Sequence, residues 1–197
     1  MTPLEAIKGQ RKTGSELFHA NGAPHTMNLL SFWQWACSDL SGNVLRGVLA
    51  EYLVARDLGC ATGLRQQWDS FDLLTDTGIK VEVKSAAYLQ SWHQAKPSAI
   101  QFGIAPTLGW DPRTNEFSPD RRRQADVYVF ALLSHKDKGT LDPLNTDQWD
   151  FYILPAVTLD MKAGSSQTIS LSSLLRLDPL HHKFGTIGQG IVEAMRS

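Results

Sequence analysis

Cysteine is nearly missing. Cys37 and Cys60 are the only two in 197 residues, too few for the disulfide framework that holds small secreted domains together. The six histidines are scattered, and none stands at a zinc-like spacing from either cysteine. No apolar run is long enough to cross a bilayer, and the first residues lack the basic-then-apolar order of a secretory leader. Internal repeats and low-complexity tracts are absent too. Nor is there an excess of one charge: 19 Lys and Arg face 20 Asp and Glu, for a net charge of −1. That excludes a generically basic nucleic-acid coat. A cleft, however, needs only local positive potential, and a divalent cation neutralises phosphate charge by itself. The expectation is a reduced, cytoplasmic protein with no membrane partner. At 42% hydrophobic and 20% charged residues the chain can bury a core within one domain.

The pattern of the chain is mixed. Thr2-Pro3-Leu4-Glu5 has the form of a helix start with a capping box. Residues 10–27 are polar and glycine-containing and are expected to form a loop. Leu29 to Ala36 is predicted helical, and its Phe32, Trp33 and Trp35 are expected in the core. Asn43 to Leu58 is the clearest helix, closed by Gly59 at its C′ position. Its 100° spacing aligns Val44, Val48, Ala55 and Leu58 in one apolar stripe with Glu51 in the middle, while Arg46 and Asp57 project to the other side. A carboxylate in such a stripe must be paired or bound to a cation. For Glu51 both a bound metal and a salt bridge to some arginine remain open, and Gly47 one turn back leaves space beside it.

At Phe71 the period changes from helical to two. Phe71–Thr75 and Ile79–Lys84 read as strands joined by Asp76-Thr77-Gly78. A three-residue loop with Gly78 left-handed pairs Thr75 with Ile79 and sets Asp72 opposite Glu82. The side chains of Asp72, Glu82 and Lys84 then share one face, while Ile79, Val81 and Val83 share the other. A two-residue loop would send Asp72 to the wrong side. A third strand is expected over Ser98–Ala105, with Ile100, Phe102 and Ile104 alternating against Gln101 and Gly103. Residues 106–124, with three prolines and Arg121-Arg122-Arg123, form a long connection. Asp126–Leu133 and Trp149–Leu154 read as buried strands. Short helices are expected near Leu171–Leu175 and over Gly188–Met195. The order is that of an α/β domain around one sheet.

Asp72 and Glu82-Val83-Lys84 spell D-x(9)-E-x-K. Two carboxylates on one sheet face offer the hard oxygen ligands that Mg²⁺ (or Mn²⁺) prefers, and the Val83 carbonyl is a further ligand. Lys84 on the same face can orient an attacking water or stabilise the charge of a phosphoryl-transfer transition state. The competing account is a charged, solvated face on an edge hairpin. Arg121–Arg123 could contact phosphates or be merely solvated. Trp92, beside His93, could stack on a base or pack, and Gln90 is a further candidate. His181 and His182 are expected at the surface, pointing different ways.

This helix, hairpin and motif arrangement resembles the PD-(D/E)xK (restriction-endonuclease-like) nuclease superfamily, in particular uncharacterised bacterial members. Its core is a helix, three strands, a helix and a further strand. The resemblance covers roughly residues 43–133 and implies a central mixed β-sheet flanked by helices. By it, Asp72, Glu82 and the Val83 carbonyl would be metal ligands, and Lys84 the catalytic lysine. Glu51 would be the helix carboxylate at the metal, and Gln101 the glutamine some members place after the lysine. Trp68 to Asp72 is similar to the aromatic approach to the motif aspartate, although Phe71 stands where a proline is usual. The second core helix would fall in the proline-rich residues 106–124. The function implied is a Mg²⁺-dependent DNA endonuclease. The alternatives are an RNA-directed nuclease and a non-catalytic nucleic-acid-binding or assembly subunit keeping the fold. DNA is thus the expected partner, with a homodimer and a larger assembly both compatible. One domain is expected over 1–197, with the motif region at 43–133, a helical extension at 1–42, and a strand and helices at 148–197.

Overall fold

A computed structural model describes residues 7–65, 70–111 and 115–196. The Thr2–Glu5 capping box, Trp68 and Pro112 lie outside the described residues. The chain runs β1 (Leu17–Ala20), β2 (Ala23–Asn28), α1 (Leu29–Cys37), α2 (Asn43–Asp57), β3 (Leu73–Leu74), β4 (Lys80–Ala87) and β5 (Gln101–Gly103). It continues through β6 (Thr107–Asp111), β7 (Glu116–Arg122), β8 (Val127–Leu133), β9 (Trp149–Pro155) and α3 (Ala156–Ala163), then β10 (Thr168–Ser170), α4 (Leu171–Leu175), β11 (Leu180–His182) and α5 (Ile187–Ala194). No helix among the described residues is long and apolar enough to cross a membrane.

The central sheet has the order β11-β9-β8-β4-β3. It is mixed: β4 and β8 are parallel, and the other neighbouring pairs are antiparallel. β8 is buried along its whole length, as its unbroken apolar run requires of a strand covered on both faces. On one face Val81, Val83, Val127, Val129, Phe151 and Ile153 pack against Ala50, Leu53 and Val54 of α2 and Ile187 and Ile191 of α5. On the other, Tyr128, Phe130 and Leu132 meet Ile100, Phe102 and Ile104, with Leu159 of α3 and Leu174 of α4 closing the layer. This is an α/β fold with a central mixed sheet flanked by helices.

Several expectations need correction. The 10–27 segment contains the hairpin β1–β2, turned by Asn21 and Gly22 with φ of 51° and 77°. Positive φ at both central residues is what a twist-matched two-residue hairpin needs, and Asn-Gly is its strongest signal. The extension over 1–42 is therefore not purely helical. α1 forms where predicted, capped by the Asn28 side chain on the Ser31 amide, but none of its residues is buried and Trp35 is 85% exposed. Helical periodicity identified the helix but could not say whether any layer covers it. The buried stripe of α2 runs through Arg46, Ala50, Leu53 and Val54 rather than Val44, which is exposed. Arg46 can face inward because Ser41 O, Asn43 Oδ1 and Gln90 Oε1 accept from its guanidinium. Two of those partners, Ser41 and Gln90, come from outside the helix, so hydropathy along it cannot reveal them. Gln90, a candidate of the sequence, is buried and accepts from Arg46.

Within residues 106–124, β6 and β7 pair antiparallel. No helix lies between β4 and β8 among the described residues, so the second helix implied by the superfamily resemblance is not found there. β5 is a strand, but it leaves the central sheet to pair with β10. The arginine run divides. Arg123 is buried, donating to Ile104 O, Gly164 O and the Asp160 carboxylate, whereas Arg121 and Arg122 are exposed. Trp92 is 53% exposed rather than packed. His181 and His182 sit on edge strand β11. His181 is exposed and stacks on Tyr152, and half-buried His182 meets Thr186.

Asp57 ties the first half of the chain to the last helix. Its carboxylate accepts from the Gly188 amide at 2.9 Å and from the Gly185 amide, beside the N-terminus of α5, where a negative charge is favoured. Asp57→Ala is expected to lose about 2 kcal/mol of unfolding free energy. A urea titration with unchanged slope would check it; a midpoint equal to wild type would contradict the tie.

Candidate active site

The hairpin between β3 and β4 has the register expected of a three-residue loop. Thr75 N donates to Ile79 O at 3.0 Å, Gly78 is left-handed with φ of 85°, and Leu73 and Leu74 pair with Val81 and Lys80. Continued by one residue beyond the Leu73–Val81 pair, this register would set Asp72 opposite Glu82, on the sheet face that Lys84 shares; the Asp72 amide itself donates to Val81 O at 3.1 Å. β3 is only two residues long, so the edge of β4 beyond it has no backbone partner on that side. Asp72 takes its place: its Oδ2 accepts from Val83 N at 2.7 Å. Since N–H and C=O of one strand residue point to the same side, the Val83 carbonyl lies on this edge as well.

Glu82 and Lys84 meet directly, Nζ to Oε1 at 2.5 Å. They line a cleft of about 180 Å³ with Ser70, Gly103, Ala105, Thr107, Gln124 and Tyr128. The register between β4 and β8 makes Tyr128 the neighbour of Glu82. Burial, then the Glu82 charge, raises the Tyr128 phenol well above its usual range, so it stays a protonated O–H. Gln101 is exposed on β5, two residues before Gly103 and on the same side of that strand, but it does not line the cleft.

Asp72 does not line that cleft; it borders a larger one of about 490 Å³, with Glu51, Arg65 and Arg11 in its wall. Glu51 therefore lies on the other side of Asp72 from Lys84. α2 covers the opposite face of the sheet, and the shortness of β3 is what lets a helix carboxylate come near the motif aspartate. Glu51 is gripped by Arg65 through two hydrogen bonds, Nε to Oε2 at 2.5 Å and Nη2 to Oε1 at 2.8 Å. Of the two readings of Glu51 left open by its position, the arginine salt bridge is the contact present, and Gly47 does leave open space beside the helix. The pair is more than a third exposed on the arginine side. Glu51→Gln is therefore expected to change thermal stability by less than about 1 kcal/mol; a larger loss in a melting curve would show the pair to be a structural clamp.

Three carboxylates thus border one hairpin edge, and Asp72, in the middle, feels them most. Burial, then the Glu82 charge, outweighs the Val83 hydrogen bond and, with Glu51 adding, pushes Asp72 up to about 7. Burial is the larger cause of this shift, and the neighbouring carboxylates add to it. Asp72 and Glu82 supply the hard oxygens a Mg²⁺ ion takes, and one or two carboxylates suffice for that ion when substrate oxygens and waters complete its shell. Among the described residues no three histidine, cysteine or carboxylate groups converge on one point. The fit is to such a two-carboxylate site, not to a closed cage.

The model of one protein family, bacteriophage T4 endonuclease IV, matches residues 25–172, about three quarters of the chain. The chain belongs to the bacteriophage T4 endonuclease IV family. The matched span contains α2, the β3–β4 hairpin, β8 and β9, and with them Glu51, Asp72, Glu82, Lys84 and Gln101. No curated protein matches the chain.

The residues around the motif that sequence reasoning missed are Arg65, Arg11, Tyr128, Ser70 and Gln124. Tyr128 had a signal, since a parallel neighbour of β4 must present alternate residues beside Glu82 and Lys84. Arg65 and Arg11 lie in irregular segments whose course is set by packing, and nothing in their spacing relates them to Asp72.

Proposed function

We propose that the chain is a DNA endonuclease that hydrolyses phosphodiester bonds with Mg²⁺ (or Mn²⁺) at a PD-(D/E)xK-type site. The observation that carries this reading is the register that sets Asp72 beside Glu82 and Lys84 within a family named for an endonuclease. Asp72 and Glu82 would hold the metal, with the Val83 carbonyl as a further oxygen, while Glu51 is engaged by Arg65 in the free protein. When bound, such an ion polarises a phosphoryl oxygen and lowers the pKa of a bound water.

The residues of the chain do the rest. Lys84 is a point charge anchored on Glu82, placed to orient the attacking water and to stabilise the extra negative charge of the transition state. The Val83 amide holds the Asp72 carboxylate in one orientation, so its free oxygen is presented without rotamer searching. The protonated Tyr128 hydroxyl is a donor on the cleft wall beside Glu82. Gln101, on the same side of β5 as Gly103, would act on a substrate that extends past the cleft. If both strands of a duplex are cut, a homodimer would supply one site to each.

The test is cleavage of supercoiled plasmid, linear duplex and single-stranded DNA with Mg²⁺ or Mn²⁺, against EDTA. Metal-dependent cutting of at least one form is expected. RNA cut in place of DNA would move the activity to the RNA-directed alternative. Binding with no cutting of either would leave the non-catalytic subunit.

A further inference from the structure

Any nucleic acid that brings a phosphate to Asp72 must pass Glu82 and Glu51, two groups of the repelling sign. Lys84 is already engaged by Glu82, and the chain as a whole has a net charge of −1, so compensation must be local. The larger cleft beside Asp72 provides it in Arg65 and Arg11, which share its wall with Asp72 and Glu51. Arg65 is also the residue whose present partner is easiest to exchange. Its fork lies on a carboxylate in the two-pronged geometry that equally fits a phosphate, and its side chain is 39% exposed.

We propose that the cleft lined by Arg11 and Arg65 is the track for the nucleic-acid backbone. Arg65 is parked on Glu51 in the free protein and passes to a substrate phosphate on binding, which releases the Glu51 carboxylate toward Asp72. The exchange breaks one bidentate ion pair and forms another, and no proton moves. This rests on the nuclease reading above and adds to it the residues that hold the strand and the event that frees Glu51.

The experiment is fluorescence anisotropy of a labelled oligodeoxynucleotide, as a duplex and as the strand alone, in EDTA, over a salt series. Arg65→Gln should weaken binding about tenfold at 0.1 M salt and make the log Kd against log salt plot shallower by about 0.9 for duplex or 0.7 for single strand, the loss of one phosphate contact. Arg11→Gln should act in the same direction. Arg65→Lys should keep the slope, because the charge remains, while losing part of the affinity. Lys162→Gln on the distant helix α3 should change neither.

Glu51→Gln separates a phosphate contact from a merely structural role. It breaks the same ion pair, so a structural Arg65 predicts that it reproduces Arg65→Gln, whereas a phosphate-binding Arg65 predicts no loss of affinity or slope. Wild-type binding with Arg65→Gln unchanged overturns the track and leaves the nuclease reading standing. Wild-type protein that neither binds nor cuts any oligonucleotide overturns both.

Discussion

Asp72→Asn is expected to lose DNA cleavage by at least about a thousandfold and yet to melt at a higher temperature than wild type when no metal is present. Both effects have one cause. An aspartate in an unfolded chain ionises near 3.9, whereas Asp72 in the fold ionises at about 7. Between those values the folded chain holds a proton that the unfolded chain has released, so stability falls as pH rises through the interval. The penalty is absent below about pH 4 and complete above about pH 7. Asparagine keeps an oxygen to accept from Val83 N and removes the charge. Its advantage should therefore grow from pH 4 to 7 and reach up to about 4 kcal/mol. Added Mg²⁺ should raise the melting temperature of the wild type and leave that of Asp72→Asn unmoved, by the linkage of binding to folding. Melting curves at pH 4.5 and pH 8, with and without Mg²⁺, would check this. Equal Mg²⁺ shifts in the two proteins would remove Asp72 from the metal site.

Lys84→Ala should be as inactive as Asp72→Asn while binding divalent cations no more weakly than wild type. The ammonium lies 2.5 Å from Glu82 Oε1 and competes with any cation for that oxygen, so deleting it frees a ligand. What is lost is charge at the transition state, worth about a hundred- to a thousandfold in rate for one well-placed donor and more where the lysine also orients the water. Lys84→Arg should recover little, because the planar guanidinium cannot occupy the place of a compact ammonium. Titration with Mn²⁺ by calorimetry, alongside plasmid cleavage, distinguishes the two roles. Wild-type cleavage by Lys84→Ala would end the assignment of this lysine, and weakened Mn²⁺ binding would recast it as part of the metal site.

How much of this was legible in the sequence depended on the range of the forces involved. The register of the β3–β4 hairpin was readable because Asp76-Thr77-Gly78 is a local signal that sets loop length, and loop length sets register. The buried strands over residues 127–133 and 149–155 were readable from apolar runs, and the small helices at 171–175 and 187–194 from their own patterns. The β1–β2 hairpin was readable and was missed, since Asn21-Gly22 announces it amid polar neighbours. Arg46, Arg65 and the departure of β5 from the central sheet were not readable. Each depends on partners far along the chain: Gln90 for Arg46, Glu51 for Arg65, and Thr168–Ser170 for β5. The exposed aromatics of α1 failed for a related reason, because hydrophobicity states what a side chain prefers and not what is there to cover it.

The amide-to-carboxylate tie between Asp57 and the start of α5 spans 131 positions, and it bears on how the chain emerges from a ribosome. The hairpin carrying Asp72 and Glu82 closes over three residues and can form as soon as it is made. β4 must then wait for β8 to arrive beyond β5 and the β6–β7 hairpin, and the face of the sheet under α5 stays uncovered until residues 187–194 exist. Such late, non-local closure folds slowly and leaves apolar strands open to association in the interim. Truncations that remove α5 should therefore reduce soluble yield far more than they disturb the local geometry of the charged hairpin.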